Sequence, residues 1–197
     1  MQDHIDATIA AHVRVLQETA TLGQDIACFA ERVADCIGGG GRVFWMGNGG
    51  SAADCQHLAA ELVGRFERER RGLPSIALTT DSSILTSVAN DYGFESVFAR
   101  QVEALCCDGD LLVGLSTSGN SANVLRAMER VAGRAVYRVG LTGAGGGRLA
   151  EICDLCLRVP SNVTARIQEA HIVIGHIVCD LVERRVTGQG DEAPGRS

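Results

Sequence analysis

Residues 43–66 read VFWMGNGGSAADCQHLAAELVGRF, and this stretch decides the fold class. Val43–Met46 is a short unbroken apolar run, the composition of a strand covered on both faces. Gly47-Asn48-Gly49-Gly50-Ser51 forms a turn, and from Ser51 to Phe66 the apolar residues recur at helical spacing. Strand, glycine turn and amphipathic helix make the first half of a βαβ unit. The same alternation continues outward along the chain. Apolar runs lie at Ser75–Leu78, Leu111–Leu115, Val136–Leu141 and Leu155–Val159. Helical periodicity covers 83–104, 120–133, a short piece near 147–152, and a final stretch from about Val163 to Val186. Short buried strands that each feed a helix predict an α/β fold: a parallel sheet with helices on both faces.

Upstream, Ile5, Ile9, Val13 and Leu16, then Leu22, Ile26, Phe29, Val33 and Ile37, mark helix over 3–37, either one helix or two joined near Thr21–Gly23. Gly38-Gly39-Gly40-Gly41 ends it, since a run of glycines does not propagate a helix cheaply. The expected organisation is a helical segment over 1–37 that packs in an oligomer, one domain over 38–188, and a disordered tail over 189–197.

Composition narrows the function. The chain has 197 residues, 46% hydrophobic and 21% charged, as expected of one globular domain. Its net charge of −6 argues against a nucleic-acid binder or a membrane-surface binder, which need a basic face. All 18 basic residues are arginine. Schiff-base enzymes, pyridoxal-phosphate enzymes and Walker-type phosphate loops require lysine and are excluded. The opening MQDHIDATIA has neither a basic segment nor an apolar run, so no signal peptide is expected. No stretch approaches the ~18 apolar residues of a membrane span. Eight cysteines, with Cys106 and Cys107 adjacent, are scattered through apolar segments and read as reduced thiols of a cytoplasmic protein. Cys55 and the pair Cys153 and Cys156 read as core packing. The mixed-sign run Arg65–Arg71 reads as a solvated loop, with Arg65 alone within reach of a sugar phosphate.

Ligands of open α/β sheets bind beyond the carboxyl ends of the strands, at helix N-termini. Two turns stand there. The turn 47–51 offers glycine backbone and a serine hydroxyl, and Ser116-Thr117-Ser118-Gly119-Asn120-Ser121 offers four hydroxyls at a second helix start. Both suit an anion without lysine. Either turn alone reads equally well as a tight turn with ordinary caps. Gly47-x-Gly49-x-x-Ala52 also matches a dinucleotide fingerprint, with Asp81 as the ribose acid. That acid lies beyond the usual ~20-residue spacing, and the fingerprint leaves the hydroxyl-rich turn unexplained. A phosphorylated ligand is therefore the first reading.

His57 and Glu61, four apart, share one face of the helix that opens at the first turn. The last helix carries Gln168, Glu169, His171 and His176, and there an imidazole reads as a catalyst or as a hydrogen-bonded core residue. His4 and His12 read as surface residues. Gln168 and His176 stand about 12 Å apart along the helix axis. One ion shared by both of them with His57 and Glu61 is therefore easier if neighbouring subunits contribute.

With these segments in hand, the chain resembles the sugar isomerase (SIS) domain family, and within it the phosphoheptose isomerases. The segments that carry the likeness are GNGGSAADCQHLAAELVGRF (47–66), LPSIALTTDSSILTSVANDYGFESVFARQVEAL (73–105), GDLLVGLSTSGNSANVLRAM (109–128) and VPSNVTARIQEAHIVIGHIVCDLVE (159–183). The resemblance implies a flavodoxin-like three-layer fold with a five-stranded parallel sheet, and a homotetramer with active sites at subunit interfaces. It implies substrate contacts at Asn48, Gly49, Gly50, Ser51, Glu61, Asn90, Asp91, Ser116, Thr117, Ser118, Ser121 and Gln168. Glu61 and His176 would be the acid/base pair, and one Zn2+ per subunit would be held by His57, Glu61, Gln168 and His176. Ala165 stands where some relatives carry an acidic residue, so a substrate contact differs there. The implied activity is the conversion of sedoheptulose 7-phosphate to an aldoheptose 7-phosphate, the first step of nucleotide-activated heptose biosynthesis, with lipopolysaccharide as one destination. The alternative is a non-catalytic SIS protein that binds the replication initiator DnaA. Such proteins lack the groups matching Glu61 and His176.

Overall fold

The structure is a computed structural model that describes residues 1–188. The expected disordered tail, 189–197, lies outside the described residues. In chain order the elements are α1 (Gln2–Thr19), a 3-10 turn (Ala20–Leu22), α2 (Gly23–Gly38), β1 (Val43–Gly47), α3 (Gly50–Val63) and β2 (Ser75–Ala77). Then come α4 (Ser82–Tyr92), a 3-10 turn (Phe94–Ser96), α5 (Val97–Leu105), β3 (Leu111–Leu115), α6 (Ala122–Arg130), β4 (Tyr137–Thr142), α7 (Leu149–Ile152), β5 (Leu155–Arg158) and α8 (Thr164–Thr187). The five strands are all parallel, in the order β2-β1-β3-β4-β5. This is the flavodoxin-like order, in which the chain steps from β1 to one side and returns to β3 on the other.

The strands are apolar throughout because both faces are covered. Val43 and Trp45 face a core shared with Phe29, Leu58, Leu62, Ile174 and Val178, whereas Phe44 and Met46 face Phe98, Leu112 and Met128. The buried Trp45 indole N–H donates to Ser75 Oγ at 2.8 Å, so burying this large ring leaves no orphaned donor.

The elements correct several of these readings. The helical stretch 83–104 is two helices, because Gly93 takes φ +84° and ends α4 before the 3-10 turn. Asp81, a ribose acid under the dinucleotide reading, caps α4 instead, its Oδ1 accepting from Ile84 N at 2.9 Å. The helical segment over 1–37 is two helices that differ in burial. α2 buries Ile26, Phe29, Ala30, Val33 and Ile37 in the core of its own chain. Each such large side chain contributes about 1.5–3 kcal/mol, which makes α2 part of the domain. Within 1–37 only α1 is peripheral: Thr19 is its one buried residue, and Ile5, Ile9 and Val13 are exposed. It lies along α8, joined by His12 Nδ1 to Glu169 Oε2 at 2.6 Å and by Arg166 to the Thr8 carbonyl at 2.8 Å. His12, expected on the surface, is thus half-buried in a helix contact. Among the described residues, no helix is long and apolar enough to cross a membrane.

Candidate active site

The cleft forms where β1 and β3 end side by side, Gly47 opposite Leu115. Gly49, at φ +56°, turns the chain into α3, and Gly119, at φ +69°, turns it toward α6. A Cβ on Gly119 would overlap the Gly146 carbonyl oxygen, so only glycine fits there. The two turns are tied by a reciprocal amide pair, Asn48 Nδ2 to Asn123 Oδ1 at 2.9 Å and Asn123 Nδ2 to Asn48 Oδ1 at 2.8 Å. The resulting cleft, about 290 Å³, is lined by Asn48, Gly49, Gly50, Ser51, Leu115, Ser116, Thr117, Ser121, Thr164 and Gln168.

Three helix N-termini converge on this space: α3 at Gly50, α6 just after Ser121, and α8 at Thr164. Their N-cap residues, Gly49, Ser121 and Val163, make no side-chain cap bond, although in the first turn of α6 Asn123 Oδ1 accepts from Val124 N at 3.0 Å. Open N–H groups and three positive dipole ends make an anion site without a cationic side chain. Ser116 Oγ and Ser121 Oγ are hydrogen-bonded at 2.8 Å at its wall. Thr164 was missed by the reading of the sequence. It had one signal, its position as the first residue of the long last helix.

Ser118 is not in the cleft lining; its Oγ accepts from Asn120 N at 3.1 Å and shapes the turn. Asn90 and Asp91 also stand apart, exposed near the end of α4 with Asn90 Nδ2 donating to Asp91 Oδ1 at 2.7 Å. A larger hollow of about 430 Å³ beside Tyr92, Arg100, Arg126 and Arg130 offers no anion site of this kind. Its arginines are already paired with Glu95 and Glu103.

The second centre lies farther along α3. His57 and Glu61 meet His176 of α8, 119 residues beyond His57, within one chain. His57 Nε2 is 2.8 Å from His176 Nε2 and 3.2 Å from Glu61 Oε1. The meeting depends on Gly175. A Cβ there would lie 2.5 Å from Leu58 Cδ1 and closer still to Cδ2, so the absence of a side chain lets α8 press against α3. His57 and His176 are the chain neighbours of these two contact residues. The Phe66 ring covers His176, with centroids 5.4 Å apart. Burial, then the neighbouring His57, hold His176 below the ordinary imidazole pKa against the opposing pull of Glu61. Burial pushes the nearby Asp54 carboxyl up, and its Oδ2 has no hydrogen-bond partner.

Gln168 belongs to the cleft end of this arrangement. A Cβ on Gly50 would lie 2.7 Å from its Nε2, so the Gln168 amide sits on the first turn of α3. His171 is a core residue, fully buried, with Nε2 3.2 Å from the Thr142 carbonyl. From Gly50 to His57 the rise along α3 is about 10 Å, which separates the anion cleft from the His–Glu–His centre.

Comparison with known proteins now decides the family. The SIS domain model matches residues 8–143. The phosphoheptose isomerase of Geobacter sulfurreducens is 56% identical, over 94% of this chain and 99% of its own. The chain belongs to the phosphoheptose isomerase family. Another phosphoheptose isomerase, from Roseiflexus, is 55% identical over 92% of this chain and 91% of its own. Among solved structures, the phosphoheptose isomerase of Neisseria gonorrhoeae superposes with a TM-score of 0.88 at 44% identity, covering 92% of this chain and 98% of its own. That of Francisella tularensis gives 0.89 at 39% identity, covering 93% and 98%. Phosphoheptose isomerases are aldose–ketose isomerases, and the chain is an enzyme of that kind.

Proposed function

We propose that the chain converts D-sedoheptulose 7-phosphate to D-glycero-D-manno-heptose 7-phosphate through an enediol. The observation that carries this reading is the meeting of Glu61 and His176, drawn from α3 and α8, with about 10 Å of rise along α3 between the anion cleft at Gly50 and the neighbouring His57. That separation suits a sugar whose phosphate and carbonyl lie at opposite ends of an extended chain. The 7-phosphate would take the N–H groups at the starts of α3, α6 and α8 and the hydroxyls of Ser51, Ser116, Thr117 and Ser121. Asn48, Gln168 and Thr164 line the path of the carbon chain. One of the pair Glu61 and His176 removes a proton from C1 and returns it to C2. The other gives a proton to the C2 oxygen and takes one from the C1 oxygen. Burial and His57 hold His176 below the ordinary imidazole value, which favours its neutral form.

A metal fits the same three side chains. Ligand bonds of about 2.0–2.2 Å place tetrahedral donors roughly 3.3 Å apart, near the spacings of 2.8 and 3.2 Å between these atoms. Two imidazole nitrogens and a carboxylate oxygen suit Zn2+, and a bound zinc would polarise the sugar carbonyl. His57, Glu61 and His176 would hold it. Gln168, implied as a fourth ligand, lines the cleft beside Gly50, where it would contact substrate, and its place on the ion would be easier with a neighbouring subunit contributing. The exposed α1 stripe of Ile5, Ile9 and Val13 supports packing between copies, as in the homotetramer that the resemblance implies; Asn90 and Asp91, outside the cleft of their own chain, would then reach substrate across an interface. Eight free cysteines support a cytoplasmic location. Glu61 and His176 favour the enzyme over the DnaA-binding alternative.

Incubation with sedoheptulose 7-phosphate, followed by NMR, should show the aldoheptose phosphate. Glu61→Gln should abolish turnover and keep the fold and phosphate binding. Activity of Glu61→Gln near that of the unmodified enzyme would overturn the assignment.

A further inference from the structure

The run Arg65–Arg71 is a loop, as expected, with Arg65, Glu67, Glu69 and Arg71 exposed, but a buried carboxylate grips its backbone and Arg70. Glu183 is fully buried on α8, seven residues past His176, and therefore on the same face two turns along. Its Oε1 accepts from Phe66 N at 2.7 Å, and its Oε2 from Glu67 N and Arg68 N, both at 2.9 Å. Arg70 Nη2 lies 2.9 Å from Glu183 Oε1, and its side chain is 2% exposed. Arg70 also donates to carbonyls at the end of α3: to Glu61 at 2.8 Å, Leu62 at 2.9 Å and Gly64 at 3.2 Å. Burial pushes the Glu183 carboxyl up, but the three backbone N–H groups and Arg70 outweigh it and keep it ionised.

Following the contacts outward leads to the reacting groups. The N–H that Glu183 grips first belongs to Phe66, whose ring lies against His176. The arginine it pairs with holds the backbone carbonyl of Glu61. We propose that Glu183 is a positioning residue of the isomerase, which through Phe66 and Arg70 sets His176 and Glu61 at their working separation. A carboxylate with four donors around it holds a segment in one place, and acid/base transfer is sensitive to displacements of that size. The inference rests on the acid/base reading of Glu61 and His176.

Glu183→Gln tests it on the full-length protein, with sedoheptulose 7-phosphate as substrate. The amide loses one acceptor and the charge facing Arg70. Expected are a fall in kcat of at least about tenfold with KM within about threefold, and faster native-state trypsin cleavage within 65–71. Faster cleavage with kcat unchanged would mean that Glu183 holds the segment and nothing more, which overturns the proposal. Should Glu183→Gln fail to fold, Phe66→Ala carries the test, because it removes the ring and leaves the backbone clamp. It should lose kcat to a similar degree while trypsin cleavage stays slow. Full kcat in Phe66→Ala would overturn the proposal. Glu61→Gln, with its clamp intact, separates the two ideas: if it stays active and trypsin-resistant, the acid/base reading itself has failed.

Discussion

Gly175→Ala puts the geometry of the site to a thermodynamic test whose sign runs against intuition. In the middle of a helix, glycine to alanine ordinarily stabilises by about 0.5–1 kcal/mol, through backbone entropy. At position 175 the new methyl would meet both Leu58 methyls and lie 3.0 Å from Leu58 Cγ. Leu58 has no accessible surface, so its methyls could give way only into the packed core. Overpacking of this kind costs about 1–3 kcal/mol, so the net effect is a loss of roughly 1–2 kcal/mol. For a chain of this size that lowers Tm by about 2–8 °C. The strain should also push α8 away from α3 where His57 and His176 meet at 2.8 Å, lowering kcat about tenfold or more. Calorimetry and urea unfolding measure the first effect and steady-state kinetics the second. A Leu58→Ala, Gly175→Ala pair should show a favourable coupling of at least about 1 kcal/mol, because the new methyl then fills space instead of colliding. A single Gly175→Ala variant more stable than its parent, with full activity, would refute the close helix approach as the device that brings the imidazoles together.

Other outcomes follow from the same geometry. Burial pushes His171 down to about 4, against the opposing effect of its bond to the Thr142 carbonyl. Below its ordinary value of about 6.5 the unfolded chain binds a proton that the folded one refuses, so stability rises with pH between about 4 and 6.5 and then levels. The shift is worth roughly 3 kcal/mol; urea unfolding across that range should show the slope, and His171→Gln should remove this share of it. Ser121→Ala deletes the partner of Ser116 Oγ in the anion cleft and should raise KM about tenfold with kcat nearly unchanged, as steady-state kinetics would show. Chelation should lower both Tm and activity, and added Zn2+ should restore them; in His57→Ala neither chelator nor zinc should move Tm.

The local features were legible in the sequence because their causes are local. Continuous apolar runs at 43–46, 111–115 and 155–159 mark strands covered on both faces, and the strands form at these places. The two glycine- and serine-rich turns announce an anion site because a turn and the helix after it are made by adjacent residues. His57 and Glu61 share a face because four residues make about one helical turn. The break at Gly93 was also written locally, yet the apolar periodicity running through 83–104 concealed it.

What only the tertiary structure decided is which distant side chains meet. The pairing of His57 with His176 depends on how far α8 slides along α3, and that is set by one absent Cβ at Gly175 fitting against Leu58. Gly175 and Leu58 stand beside the two histidines in the sequence, but neither by itself says that it meets the other. For the same reason the charged loop at 65–71 gave no sign of its anchor: Glu183 lies more than a hundred residues away within an apolar helix. Periodicity reports how a residue sits on its own element. The fit between two elements is a sum of contacts over both surfaces, and only the packed chain performs that sum.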